Sequence, residues 1–181
     1  AESFSIADPH EVWLMEMIGK GPGEKGAIWV ARRVPEGFIS AYANGMRIRE
    51  VPTDDPEGCL YSPDVVDFAV ARGYHDPGSD RPFDFAAAYD SPTVQSRRYT
   101  ATRVWSIFRR AAPSRADDLD PAYHRGDSAA TPYPLWIEPD RPLSVADVMA
   151  LMRDHYEGTP WDMTVGLGAG AHGTPNRWRP I

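Results

Sequence analysis

Glu11-Val-Trp-Leu-Met-Glu-Met-Ile18, Gly26-Ala-Ile-Trp-Val-Ala-Arg-Arg33 and Tyr42-Ala-Asn-Gly-Met-Arg-Ile48 form the stretch that decides the fold. It reads as three or four consecutive antiparallel strands. In the first, Val12, Leu14 and Ile18 share one face with Glu16, while Trp13, Met15 and Met17 share the other. A strand that is apolar on both faces belongs inside a layered structure, covered on each side. Gly19, Gly21, Pro22, Gly23 and Gly26 make the hairpin loop, and Pro35-Glu36-Gly37 turns the chain into a further strand over Phe38–Ala43. Upstream, Phe4 and Ile6 alternate on one face of another strand.

Glu16 is costly in such a strand unless it is paired or hydrogen-bonded. Arg32 or Arg33 on the adjacent strand is the expected partner, with a wet crevice as the alternative. Asn44 lies at the end of the strand block and is followed by Gly45. There it can be a turn asparagine with positive φ, or a fixed carboxamide donor of the kind an oxyanion hole requires. Position alone leaves both open.

Downstream, breakers at Pro52, Asp54, Asp55, Pro56 and Gly58 end the strand region. Ser62-Pro63 opens a helix with Val65, Val66, Ala69 and Val70 on its apolar side, and Gly73 ends it. A helical turn is expected within Phe83–Tyr89. A longer helix over Gln95–Ala112 carries Ala101, Val104, Trp105, Phe108 and Ala112 at helical spacing. Residues 113–142 are rich in proline. Ser144 and Asp147 then start a helix reaching about Tyr156, buried along Val145, Val148, Met149 and Met152. The organisation is one domain over residues 1–181, with an antiparallel strand region at 1–51 and helices and long loops at 52–181. Both ends are abrupt, so the chain reads as an internal piece of a longer protein.

The net charge of −7 excludes a broadly basic nucleic-acid or anionic-membrane surface. Arg97, Arg98, Arg103, Arg109 and Arg110 remain as a local basic patch. No apolar run reaches 18 residues, so no helical membrane span is expected. Gly168-Ala-Gly-Ala-His-Gly173 matches a dinucleotide fingerprint in letters only, because Thr174-Pro175-Asn176 cannot open the required helix. The five histidines show no zinc spacing, and Asp154-His155-Tyr-Glu157 reads as a local cap rather than a metal centre. Cys59, the sole cysteine, sits in the acidic Asp55-Pro-Glu-Gly-Cys-Leu segment, which raises a thiol pKa and suits a plain loop cysteine. No cofactor and no metal is expected.

Several motifs together carry a resemblance. Ile6-Ala-Asp8, Glu11-Val-Trp-Leu-Met-Glu16, Trp29-Val-Ala-Arg-Arg33 and Ala43-Asn-Gly-Met-Arg-Ile48 resemble the middle of the C69 dipeptidase family. Tyr61-Ser-Pro-Asp64, Thr102-Arg-Val-Trp105, Met152-Arg-Asp-His-Tyr-Glu-Gly-Thr159 and Arg177-Trp-Arg-Pro180 continue the match in family order. The resemblance implies an α+β fold, part of a four-layer αββα sandwich of antiparallel sheets, as in N-terminal-nucleophile hydrolases. It implies hydrolysis of dipeptides through an acyl-enzyme on an N-terminal cysteine whose own amino group is the base. That cysteine precedes the segment matched here, so the chain alone is expected to be inactive. By the same resemblance Asn44 falls at an oxyanion-hole position and Arg103 near an active-site arginine. Two other readings are a non-catalytic binding module of the same fold and an amidase acting on non-peptide amides. The expected partner is a dipeptide substrate, not nucleic acid or membrane.

Overall fold

The computed structural model describes residues 2–90 and 93–166. The fingerprint-like Gly168–Gly173 and the Arg177–Pro180 motif lie outside the described residues. Four strands form the main antiparallel sheet: β1 (Glu2–Ala7), β2 (Val12–Gly19), β3 (Ala27–Arg33) and β5 (Cys59–Tyr61), in that spatial order. A second, two-stranded sheet pairs β4 (Ile39–Ser40) with β6 (Trp136–Ile137). The helices are α1 (Val65–Ala71), α2 (Phe85–Tyr89), α3 (Val94–Ala111), α4 (Pro121–Arg125) and α5 (Val145–Leu151), with a 3-10 turn at Pro113–Asp118. The architecture is α+β.

Register explains which residues meet. Leu14 faces Arg32, Glu16 faces Val30 and Ile18 faces Ile28, so these side chains share one face of the sheet. That face is buried against Ile48, Val65 and Phe85. On the other face Phe4 lies beside Met15 and Ile6 beside Trp13, and beyond them Met15 and Met17 lie beside Ala31 and Trp29. Phe4, Ile6 and Leu60 on this face are each about half exposed (44%, 53% and 47%). The two faces of the strand block are therefore unequal, although the sequence is apolar on both.

A second hydrophobic cluster surrounds α3, built from Ala101, Val104, Trp105 and Phe108 with Leu119, Tyr133 and Ile137. The helix begins at the Thr93 cap, whose side chain accepts from Ser96 N–H, and Arg109 and Arg110 suit its C-terminal dipole. Residues 41–48 run between the two clusters, with Ala41 in one and Ile48 in the other.

Three expectations need correcting. The segment 38–43 does not extend the main sheet, because the free edge of β3 is taken by β5; Arg33 N–H donates to Gly58 and Ser62 N–H to Trp29 at its two ends. The amides of residues 46–48 find the carboxylates of Asp90 and the buried Glu16 instead of a neighbouring strand. Glu16 does not pair with Arg32 or Arg33. Arg33 pairs with Glu11, and Arg32 stacks on Trp136 and donates to the Glu50 carbonyl. Finally, α5 has the expected Ser144/Asp147 capping box but stops at Leu151. Val145, Val148, Met149 and Met152 are exposed and only Leu151 is buried, since the next residues are drawn to α3 through Asp154.

Candidate active site

Glu16 is the polar anchor beneath the site. Its carboxylate, 3% exposed, accepts from Arg47 N–H at 2.8 and 3.0 Å and from Ile48 N–H at 3.0 Å. Burial pushes its carboxyl above the usual range despite those amide donors. Next to it the Arg47 guanidinium donates to the carbonyls of Ala41, Pro134 and Leu135 and lies over the Phe108 ring. Burial lowers Arg47 to about 10. The segment 41–48 is thus fastened to the sheet by Glu16 and to the α3 cluster by Arg47.

Asn44 sits in this fastened segment with φ of 60°, the left-handed conformation that asparagine tolerates better than most residues. Gly45 follows because the chain presses on α3 here. A Cβ at that position would meet Thr100 at 3.3 Å. The turn reading of Asn44 and its placement beside Arg103 are both true of this residue. Arg103 Nη2 donates to Asn44 Oδ1 at 3.0 Å and to Ala43 O at 3.1 Å, while its Nε donates to Tyr99 O at 2.8 Å. A guanidinium only donates, so it fixes which end of the carboxamide faces it. Oδ1 points at Arg103, and the Nδ2 donors point away.

Tyr156 is the only other non-glycine residue with positive φ among the described residues, at 64°. A bulky residue in that region marks local strain. Its phenol is buried and pushed up to about 12, chiefly by desolvation, with Arg103 and Asp154 as its charged neighbours. In the sequence Tyr156 lies inside the Met152–Thr159 motif, but the helical spacing expected to reach it gives no sign of this left-handed turn.

The remaining groups are committed elsewhere. Asp154 accepts from Ser106 Oγ and pairs with Arg110. His155 Nδ1 lies 3.2 Å from Glu157 Oε1, so Asp154-His155-Tyr-Glu157 is spent on internal contacts. The five arginines do not act as one basic surface. Four of them are turned to separate contacts: Arg97 lies over Tyr123, Arg109 over Trp105, Arg110 pairs with Asp154, and Arg103 holds Asn44, while Arg98 is exposed. Cys59 is on strand β5 rather than in a loop, and it is 1% exposed. Burial pushes its thiol up, which disfavours the thiolate a nucleophile needs. No helix of the described residues is long and apolar enough to cross a membrane.

A "Probable dipeptidase" from Salmonella dublin is 31% identical over 182 residues, covering 99% of this chain and 37% of that protein. A "Probable dipeptidase" from Latilactobacillus sakei is 26% identical, covering 98% of this chain and 33% of its own length. "Dipeptidase A" from Lactobacillus helveticus is 26% identical, with 98% and 34% covered. The chain therefore spans about a third of the length of the curated relatives it matches. The family model for peptidase family C69 matches residues 1–181 from end to end, and the motifs that hold the Asn44 segment in place fall inside it: the chain belongs to peptidase family C69.

Proposed function

We propose that this chain supplies part of the reaction site of a dipeptidase, with the Asn44 carboxamide as an oxyanion donor and Arg103 as the residue that orients it. The observation that carries this reading is the Arg103–Asn44 hydrogen bond at 3.0 Å. It leaves the Nδ2 protons of a segment fastened at both ends directed away from Arg103. A preorganised donor of this kind stabilises the charge that develops on a peptide carbonyl oxygen under attack. The names of the relatives supply the substrate class, a dipeptide.

The chemistry is acyl transfer. A thiolate attacks the scissile carbonyl, the tetrahedral oxyanion forms opposite Asn44, the leaving amine takes a proton, and water then hydrolyses the thioester. The nucleophile in this reading is an N-terminal cysteine outside these 181 residues. The burial of Cys59 speaks against its taking that role. The half-exposed face of the main sheet, with Phe4, Ile6, Trp13, Met15 and Leu60, supports the four-layer arrangement, in which a second sheet packs on it.

Asn44→Ala in the dipeptide-hydrolysing polypeptide that carries this chain is expected to lower kcat by about two to three orders of magnitude. A fall of less than threefold in a folded variant removes Asn44 from the site.

A further inference from the structure

We propose that the cleft beside Asn44 receives the C-terminal carboxylate of a short peptide on the guanidinium of Arg97. The identity of the ligand rests on the dipeptidase reading; the chemistry of the cleft does not. The cleft is small, about 40 Å³, and open to solvent. Ala43 and Gly45, on either side of Asn44, form part of its wall, and the Arg97–Val104 face of α3 forms another.

Arg97 differs from the cleft's other charged groups. Arg49 is paired with Asp84 at 2.5 Å. Arg47 spends its guanidinium on three backbone carbonyls. Asp90 accepts from Met46 N–H at 2.9 Å through Oδ2. Arg97 has no carboxylate partner among the described residues. Among the described residues its guanidinium makes one hydrogen bond, to Asp127 O at 3.4 Å, the outer limit for such a bond, and its buried Nε has no acceptor. Its cation lies 5.3 Å from the centre of the Tyr123 ring, which orients the planar fork.

A half-buried guanidinium with spare donors is costly until an anion meets it, and its fork matches a carboxylate bidentately. Met46, Ala101, Val104 and Tyr133 give the same cleft apolar walls, which suit a small apolar side chain on the C-terminal residue. Asp90, on the same wall, disfavours a ligand carrying a second carboxylate.

The test is binding of a non-cleavable Ala-Ala analogue with a reduced peptide bond, and of its C-terminal amide, to the dipeptide-hydrolysing polypeptide that carries this chain, read by calorimetry with circular dichroism as the check on folding. The acid is expected to bind at least tenfold more tightly than the amide. Arg97→Gln is expected to abolish that preference, and Arg97→Lys, which keeps charge but loses the fork, to retain a part of it. Equal binding of acid and amide, no binding of either, or a preference unchanged in Arg97→Gln overturns the proposal. The wild-type comparison stands even if a variant fails to fold. Hydrolysis is scored separately through Asn44→Ala, so a carboxylate preference without an Asn44 effect would sink the catalytic reading alone, and the reverse would sink the cleft alone.

Discussion

Replacing Glu16 separates an amide clamp from an ion pair. A broken buried Glu–Arg pair typically costs about 3–5 kcal/mol because one charge is left stranded. Here the hydrogen-bond partners are the amides of Arg47 and Ile48, and the Arg47 guanidinium, held by three backbone carbonyls, adds only a longer-range attraction. Glu16→Gln keeps the shape and one carbonyl acceptor and removes a buried charge, so its cost at pH 7 is expected to stay within about 1 kcal/mol. Glu16→Ala strands two N–H groups, at about 1–3 kcal/mol each, and loses one buried methylene at about 0.8 kcal/mol, for a total of about 4 kcal/mol. The pH dependence has a definite sign. Because the folded carboxyl titrates above its ordinary value of 4.5, the folded state binds the proton more tightly than the unfolded one. Its contribution is fully present below about 4.5 and declines as pH rises through the folded pKa; Glu16→Gln lacks this decline. Urea denaturation of wild type and both variants at pH 4.5, 6 and 8 measures all of this. A loss above about 3 kcal/mol in Glu16→Gln at pH 7 would refute the amide-clamp account and indicate an ion pair.

Arg103→Lys keeps a cation but cannot reach Tyr99 O, Ala43 O and Asn44 Oδ1 together; kcat for dipeptide hydrolysis is expected to fall about tenfold or more with folding intact, and an unchanged kcat would show that Asn44 orients itself. His124 is buried against Trp105, Trp161 and Tyr133 and is lowered to about 4, first by burial and then by Arg125. The unfolded chain takes the proton below about 6.5 and the folded one only near 4, so stability is full above 6.5 and falls by up to about 3 kcal/mol toward pH 4. His124→Phe should flatten that slope in urea melts, and a slope that persists would assign it to other groups. Cys59→Ala should leave dipeptide hydrolysis within twofold of wild type, and loss of turnover in a folded variant would make Cys59 the nucleophile after all.

The strand block was legible because alternation and glycine turns are local signals. β1, β2 and β3 pair as Phe4, Leu14 and Ile28 imply, and α3 lies where Ala101, Val104 and Phe108 place it. What failed depended on contacts between distant segments. Nothing near Phe38 reveals that Cys59–Tyr61 occupies the edge of β3, or that Ile39–Ser40 pairs with a strand almost a hundred residues on. Val145, Val148 and Met149 have the spacing of a buried stripe, yet helical spacing cannot say whether anything covers it. Of the candidate site, Asn44 and Arg103 were reached through motifs, while their hydrogen bond joins residues 59 positions apart. Arg97 was visible only as one arginine among five; that it has no carboxylate partner among the described residues emerges only when the cleft's other charges are paired off.

The Asn44 carboxamide sits in a segment that is held from two sides. Glu16 ties residues 47 and 48 to the main sheet, whose core is Leu14, Ile28, Val30 and Ile48. Arg103 ties residues 43 and 44 to α3, whose core is Val104, Trp105 and Phe108. The direction of the Nδ2 donors is thus a function of how the sheet and α3 sit relative to each other. A core change in either cluster should then move kcat more than its stability cost predicts, because a shift of about 1 Å in a donor costs far more in transition-state stabilisation than in folding. Phe108 is the sharpest case. It is fully buried in the α3 cluster and lies under the Arg47 guanidinium, so Phe108→Leu perturbs both anchors at once. Its hydrolysis rate should fall about tenfold while the domain, short by roughly 1–2 kcal/mol, remains folded. A rate that falls no further than the folded fraction would show that the two anchors act independently.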